Sequence, residues 1–126
     1  MQKEKFHIEY IFNRVSKNSL WNSLTTSEGL AEWFAENVNV KGKIFSFYWN
    51  GYPSNAELLG ITPFVYVRFR WLEEDPATYF EFRLHKAELI GGLTLEIIDF
   101  AEKEEKPHSI TLWDTQVKAL KRRLGL

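Results

Sequence analysis

The apolar positions of the first 36 residues change from strand periodicity to helix periodicity. Every second residue from Phe6 to Phe12 is apolar, which predicts a β-strand with one buried face. Capping residues then predict two short helices between residues 16 and 36. Ser16 is suited to cap the first helix, and Thr25 with Glu28 three residues later has capping-box spacing for the second. Because both helices are short, they must pack against a larger element.

From residue 38 to residue 97 the apolar residues again recur at every second position. This pattern predicts a series of strands, and Gly42 permits a turn or a bulge within the first of them. Residues typical of turns separate the later strands. These turns are Asn50-Gly51, Thr62-Pro63, Glu73 to Pro76 and Gly91-Gly92. Consecutive strands joined by short connections predict an antiparallel sheet.

The C-terminal segment has the periodicity of one long amphipathic helix. We expect Glu102 to Pro107 to form a solvated loop, because it is charged and lacks apolar anchors. We expect Ser109 to cap the helix that follows. The apolar positions of that helix recur at spacings of three and four residues, which places them on one stripe. They are Ile110, Trp113, Val117, Leu120 and Leu124.

The order of these elements predicts an α+β fold of the helix-grip type. A curved antiparallel sheet of about six strands would pack against the long C-terminal helix, with two short helices after the first strand. The apolar stripe of the long helix would be buried against the sheet, and strand curvature would leave space between the two layers. Residues 1–126 would form one domain, because domains usually contain roughly 100–200 residues.

Charge and composition narrow the range of partners. The formal net charge of −1 argues against long-range attraction to nucleic acid or to an anionic membrane. The chain has no cysteine, which excludes disulfides, thiolate metal sites and cysteine nucleophiles. The charged N-terminus does not resemble a signal peptide, and no apolar run approaches the roughly 18 residues of a membrane span. We therefore expect a cytoplasmic protein with no membrane span.

The aromatic content is high, with five Trp, five Tyr and ten Phe residues. Aromatic side chains bury large areas in protein cores, and they also line apolar ligand cavities. Two hypotheses follow: the inward-facing residues fill a core completely, or some of them line a cavity of roughly 300–1,000 Å³. The candidate ligand-binding residues are Trp33, Phe34, Phe45, Phe47, Trp49, Val67, Phe69, Trp71, Phe80, Phe82, Trp113, Val117 and Leu120.

The sequence contains no arrangement typical of a catalytic or metal site. His7, His85 and His108 have none of the spacings that place two metal ligands on one element. We expect His7 and His85 to point outward from strands and His108 to lie in a loop. No nucleophile elbow is present, and the acidic run from Glu73 to Asp75 is typical of a solvated turn. We therefore predict no metal, no cofactor, no catalytic residue and no enzymatic activity.

Three arginines alternate with the apolar residues of the predicted strands. Arg68, Arg70 and Arg83 are therefore expected on the exposed face of the sheet. If strand curvature turned one of them inward, its guanidinium could bind a ligand carboxylate through two hydrogen bonds. Together with Tyr66 and Tyr79, the same arginines could equally form a surface for a protein partner.

A series of motifs along the chain follows the order and spacing of a known family. Within residues 19–49 these motifs are Trp21, Leu24-Thr25, Trp33-Phe34, Gly42 and the aromatic strand from Phe45 to Trp49. Later motifs are Pro63 before a strand that ends in Trp71, Gly91-Gly92 before Thr94-Leu95, and a closing helix with Trp113, Leu120 and Lys121. The chain thus resembles the activator of heat-shock-protein ATPase homologues within the START-like (SRPBCC) superfamily. The resemblance covers nearly the whole chain and implies the helix-grip fold.

The resemblance also implies a range of functions, because START-like proteins include lipid and hormone carriers, polyketide cyclases, toxin–antitoxin partners and chaperone activators. The many aromatic residues on inward faces make the leading hypothesis a non-enzymatic domain that holds a small hydrophobic or amphipathic ligand between the sheet and the C-terminal helix. The first alternative is a protein-interaction module with a filled core, either a chaperone-linked partner or a homodimer. A weaker alternative is a cyclase-like enzyme that acts within the cavity.

Overall fold

The computed structural model describes residues 2–87 and 91–126. Its main element is a curved, open sheet of seven antiparallel strands. The strands are β1 (Glu4–Phe12), β2 (Asn37–Lys41), β3 (Ile44–Trp49), β4 (Tyr52–Thr62), β5 (Tyr66–Trp71), β6 (Phe80–Ala87) and β7 (Gly92–Ala101). They are arranged in the order β1-β7-β6-β5-β4-β3-β2, so β1 and β2 form the edges. The predicted α+β fold with an antiparallel sheet is confirmed.

The sheet has seven strands rather than about six because the chain reverses at Gly42. The φ angle of Gly42 is 62°, in the left-handed region that glycine adopts without strain. Gly42 and Lys43 form the short connection between β2 and β3, which therefore pair as separate strands. In β4, a shift of register between Leu58 and Gly60 marks a β-bulge, which bends the strand.

The predicted pair of short helices is present, but the second helix is capped one residue later than expected. Helix α1 spans Lys17–Thr25, and the Ser16 side chain accepts a hydrogen bond from the backbone N–H of Ser19, as expected of its N-cap. Helix α2 spans Ser27–Leu30, and its N-cap is Thr26, whose hydroxyl accepts from the N–H of Gly29. Thr25 instead ends α1 and donates its hydroxyl proton back into that helix. One extended residue is therefore enough to separate the two helices.

Helix α3 spans Lys106–Arg123 and begins earlier than the sequence pattern indicates. Its N-cap is Glu105, and Pro107 lies in its first turn, where a residue without an N–H donor is well tolerated. The predicted Ser109 cap is therefore wrong, and both Ser109 and His108 lie inside the helix. The predicted apolar stripe is correct, because its central residues are buried. Among the described residues, no helix is both long and apolar enough to cross a membrane.

The sheet and the segment after α2 hold α3 by hydrogen bonds on either side of its buried stripe. The Tyr10 hydroxyl of β1 donates to Asp114 Oδ1 at 2.6 Å, and Trp113 Nε1 donates to Asp99 Oδ2 of β7 at 2.9 Å. Burial and the bond to Asp114 raise the pKa of Tyr10 well above its usual range, so this phenol remains a donor. Gln116 Nε2 donates a third hydrogen bond, of 3.0 Å, to the carbonyl oxygen of Phe34 in the segment after α2.

Phe34, in the turn after α2, occupies the space between the sheet and α3. Its ring stacks on Trp113 of α3 at a centroid distance of 5.7 Å and on Phe80 of β6 at 5.6 Å. It also meets Phe47 of β3 edge to face at 5.0 Å. With 4% of its surface exposed, the Phe34 ring joins the two layers into one core.

We expect Phe34→Ala to lower the free energy of unfolding by about 3–5 kcal/mol, because it removes a buried ring and leaves a cavity. Urea denaturation followed by circular dichroism measures this loss. Leu112→Ala is the control, because Leu112 lies on the exposed side of α3 and its truncation should change stability by no more than about 0.5 kcal/mol. Equal losses in the two variants would contradict the packing described for Phe34.

Candidate functional site

The structure divides the predicted ligand-binding residues into a large buried group and a pair at the edge of the core. The buried group is Trp33, Phe34, Phe45, Phe47, Val67, Phe69, Phe80, Phe82, Trp113, Val117 and Leu120. Many of their rings are in mutual contact, such as Phe45 with Phe69 at 4.9 Å and Phe82 with Trp113 at 5.9 Å. Trp49 and Trp71 are only partly buried, and their rings lie 6.1 Å apart. These two indoles form one side of a cavity.

We call this cavity, of about 330 Å³, the end cavity. Its volume falls near the lower limit for small-molecule sites, roughly 300 Å³. It lies where β3, β5 and β7 end and where β1 and β4 begin, because antiparallel strands alternate in direction at each end of a sheet. Its lining residues are Lys3, Trp49, Ser54, Asn55, Trp71, Glu73, Glu74, Asp99 and Phe100.

Asp99 is the polar residue that connects the end cavity to α3. Its Oδ2 accepts the bond from Trp113 Nε1, and its Oδ1 accepts from the backbone N–H of Phe100 at 2.7 Å. Burial raises the pKa of the Asp99 carboxyl above its usual range. The two hydrogen bonds and the charge of Lys3 oppose this shift, while the nearby charge of Glu74 adds to it.

Charged side chains surround the mouth of the end cavity. Lys3, before β1, forms an ion pair with Glu74 of the connection between β5 and β6. Glu73, next to it, also lines the cavity. These acidic residues lie in a turn, as the sequence pattern predicts, and two of them also border the cavity. The site therefore combines two indole rings with several carboxylates and one ammonium group.

The alternation of apolar residues predicts the aromatic wall of the end cavity but not its polar residues. Asp99 could have been found from the strand pattern, since it follows Leu95 and Ile97 at the same inward-facing period of β7. A carboxylate at such a position needs a buried partner. Lys3 and Glu74 could not have been found in this way, because they are 71 residues apart in the chain and meet only through the sheet order.

Comparison with known protein families identifies the chain. The profile of the START-like superfamily domain matches residues 1–126, the whole sequence. The chain belongs to the START-like superfamily. This result confirms the superfamily that the sequence motifs indicated. A comparison with curated protein sequences gave no match.

Solved structures similar to this START-like chain agree with the fold. The solution NMR structure of BfR322 from Bacteroides fragilis has 40% sequence identity and a TM-score of 0.69, covering 98% of this chain and 92% of that one. The Aha1 dimer from Colwellia psychrerythraea has 19% identity and a TM-score of 0.79, covering 96% of both chains. MLL2253 from Mesorhizobium loti has 18% identity and a TM-score of 0.75, covering 94% of this chain and 95% of that one. At these low identities, the last two similarities show the fold alone.

The START-like sheet carries a buried carboxylate on its outer face, the face opposite α3. Glu81 of β6 is fully buried there and pairs with both Arg68 and Arg83. The guanidinium of Arg68 lies 4.1 Å from the centroid of the Tyr79 ring, and that of Arg83 lies 4.8 Å from Tyr66. The two arginines and the two tyrosines therefore cover one acidic side chain on the outer face of the sheet.

Each of the outer-face arginines pairs with a carboxylate of the sheet. Burial disfavours the charged form of Arg68, but the hydrogen bond and charge of Glu81, with smaller effects of Tyr79 and Tyr66, raise its pKa above its usual value. Arg68 and Arg83 are about one-third exposed, and they bind an internal carboxylate on the face away from the end cavity. Arg70 pairs more loosely with Glu57, at 3.9 Å.

We expect the stability of the chain to depend on the ionisation of Asp99. Because the folded state raises the pKa of this carboxyl, its contribution to stability is fully present below the unfolded pKa of about 3.9 and is lost as pH rises through the folded pKa. Asp99→Asn should therefore gain stability relative to the wild type over this range, by up to about 1.4 kcal/mol per pH unit. Urea denaturation at a series of pH values measures the difference, and a difference that falls with pH would contradict it. Asp75→Asn, in the exposed turn after β5, serves as the control.

We expect Glu81→Gln to lower the free energy of unfolding by about 2–3 kcal/mol, because it breaks two charge-assisted hydrogen bonds to a buried carboxylate. The partial exposure of both arginines keeps the loss below that of a fully buried pair. Glu57→Gln is the matched control, since its looser, partly exposed pair with Arg70 should contribute less than about 1 kcal/mol. Thermal and urea denaturation compare the two variants, and similar losses would refute a special role for Glu81.

Proposed function

We propose that this START-like chain is a non-enzymatic binding domain that holds a small amphipathic molecule in the end cavity. The observation that carries the proposal is the pairing of two indole rings, Trp49 and Trp71, with the carboxyl of Asp99 in one cavity. Small-molecule sites typically combine an apolar lining with a few polar groups that fix orientation. The end cavity has both components at one end of the sheet, and Asp99 connects it to α3 through Trp113.

The aromatic wall supports an apolar body for the ligand. Trp49 is held in place by the bond from its Nε1 to the carbonyl oxygen of Phe34 at 3.1 Å, so its ring is preorganised. Burying apolar ligand surface against such rings contributes about 25 cal/mol per Å² of area removed from water. The rings would lose little conformational freedom on binding, which limits the cost of association.

The polar groups support a ligand that carries a hydrogen-bond donor or a positive charge. Glu73, Glu74 and Asp99 outnumber Lys3 among the charged residues of the lining. An ammonium group on the ligand would gain from these carboxylates and from the faces of the indoles. A purely hydrocarbon ligand would make no polar contact with these carboxylates and would exclude water from them, so an amphipathic molecule fits better than a fully apolar one.

Acid–base catalysis is a second candidate function, and one observation favours it. Asp99 lines a cavity and has a raised pKa, which are two properties of catalytic carboxyl groups. Both of its oxygens, however, already accept hydrogen bonds that hold Trp113 and the backbone. This use supports a role in anchoring α3, and the non-enzymatic function remains the preferred one.

Self-association is a further candidate, supported by the solved dimer of Aha1 from Colwellia psychrerythraea. A START-like module that pairs with itself or with another protein needs a surface rather than an open cavity. One chain could both self-associate and bind a ligand. The mass of the native assembly distinguishes the two events, because a second copy of the chain and a small molecule add different masses.

Native mass spectrometry of freshly purified protein, repeated after denaturation, tests the proposal. We expect a mass excess that is lost on denaturation and that gives the mass of the bound molecule. Ser54→Phe should abolish this excess, because Ser54 lines the end cavity and a phenyl ring there would fill it. Asn39→Phe, an exposed position on β2, is the control for a new aromatic group and should retain the ligand.

The same experiment distinguishes the other candidates. A clean monomer mass, together with no thermal shift in a panel of lipids and metabolites, would overturn the binding function. A clean dimer mass would favour self-association. A bound molecule that is converted by the wild type but not by Asp99→Asn would favour acid–base catalysis.

A further inference from the structure

Three potential metal ligands converge on the outer face of the sheet, away from the end cavity. His7 and Glu9 lie two residues apart on β1, so their side chains share one face of the strand. Glu96 of β7 lies directly opposite Glu9 in the register of the two strands. His85 of β6 reaches the same place from the other side of β7, with its Nε2 at 2.9 Å from Glu96 Oε1.

The potential ligand atoms of this cluster already lie close to the spacing that one bound metal ion requires. His7 Nδ1 lies 3.0 Å from Glu96 Oε2, and one ligand atom from each of His7, Glu9 and Glu96 lies within 4.8 Å of the other two. Two atoms bound to one Zn²⁺ at about 2.0–2.1 Å are about 3.3 Å apart in tetrahedral geometry. Small side-chain rotations would bring the ligand atoms from within 4.8 Å of one another to about 3.3 Å.

The charges of the cluster also favour a cation. Glu9 and Glu96 are direct cross-strand neighbours, an arrangement in which like charges destabilise a sheet. Arg83 lies opposite Glu96 on β6, but its guanidinium pairs with Glu81. His7 Nδ1 and His85 Nε2 lie 3.0 Å and 2.9 Å from the two carboxylate oxygens of Glu96. The carboxylate is the form of this side chain that binds metals.

We propose that His7, Glu9 and Glu96 together bind one divalent transition-metal ion, for which Zn²⁺ is the best match. An imidazole nitrogen and two carboxylate oxygens form a mixed donor set that suits Zn²⁺, whereas Ca²⁺ and Mg²⁺ prefer oxygen ligands alone. Two carboxylates neutralise the charge of the ion, and the exposed side of the cluster leaves room for water as a further ligand. The hydrogen bond from His85 to Glu96 Oε1 orients this carboxylate, whose other oxygen lies beside His7.

Such an ion would stabilise the edge of the sheet. Strand β1 is an edge strand that pairs with β7, and the site takes ligands from both of these strands. An ion that binds the folded chain and not the unfolded one raises the melting temperature with its concentration. The effect would be largest for the unfolding of β1.

Titration calorimetry of chelator-treated protein without a histidine tag tests the site. We expect saturable binding of one Zn²⁺ per chain that persists in a large excess of Mg²⁺. In the imidazole NMR spectrum, the His7 signals should shift on Zn²⁺ addition while those of His108 stay in place, because His108 lies on α3. Zn²⁺ should also raise the melting temperature by several degrees at saturation.

Matched variants locate the ion. His7→Ala and Glu96→Gln should each weaken Zn²⁺ binding at least about 10–100-fold, since even the loss of an outer-shell partner has an effect of that size. The controls His108→Ala and Glu104→Gln change the same residue types at exposed positions and should bind like the wild type. Because His7 is exposed, its variant should fold normally, and circular dichroism verifies this.

Each contrary result would overturn the proposal. The first is an absence of saturable Zn²⁺ binding by the wild type. The second is an equal affinity in His7→Ala and His108→Ala, which would place the ion elsewhere. The third is full displacement of Zn²⁺ by Mg²⁺, which would indicate only a diffuse attraction to carboxylates.

Discussion

The contact between α3 and the sheet depends on the residue that lies between them. A single helix on a curved sheet leaves a gap, and in this chain the Phe34 ring fills it, stacked between Trp113 and Phe80. The carbonyl oxygen of the same residue accepts hydrogen bonds from Trp49 Nε1 and Gln116 Nε2. Phe34 thus joins β3, β6 and α3 through both its side chain and its backbone. The end cavity begins beside this residue, since its wall residue Trp49 is oriented by that carbonyl.

Much of the fold could be predicted because its elements are encoded locally. The alternation of β1, the Ser16 cap and the apolar stripe of α3 each depend on residues within a few positions of one another. The errors were at boundaries, where two local signals competed. Thr25 and Thr26 are both good capping residues, and Pro107 is as compatible with a first helical turn as with a loop. The number of strands depended on whether Gly42 formed a turn or a bulge, and both are typical of glycine.

The candidate sites were less predictable because they depend on register between distant segments. The aromatic wall of the end cavity followed from the inward period of β3 and β5, but Lys3 and Glu74 meet only because β1 and the connection after β5 reach the same end of the sheet. The alternating pattern assigns Glu81 to the face opposite the apolar residues, but period alone does not show that two arginines and two tyrosines cover it. His7, Glu9 and Glu96 likewise come together through the pairing of the first strand with the last. A search for ligand pairs on one element could not find them.

The position of Phe34 has a consequence for how this architecture changes in evolution. Part of the interior between Phe80 of the sheet and Trp113 of α3 is filled by one side chain in a turn, outside the strands and α3. A smaller residue there would enlarge the interior without altering the register of the sheet or the position of the helix axis, at the expense of stability. A cavity between the sheet and the helix could then begin with a point mutation rather than with a redesign of the fold. In this chain the Phe34 side chain itself occupies the space between the sheet and α3.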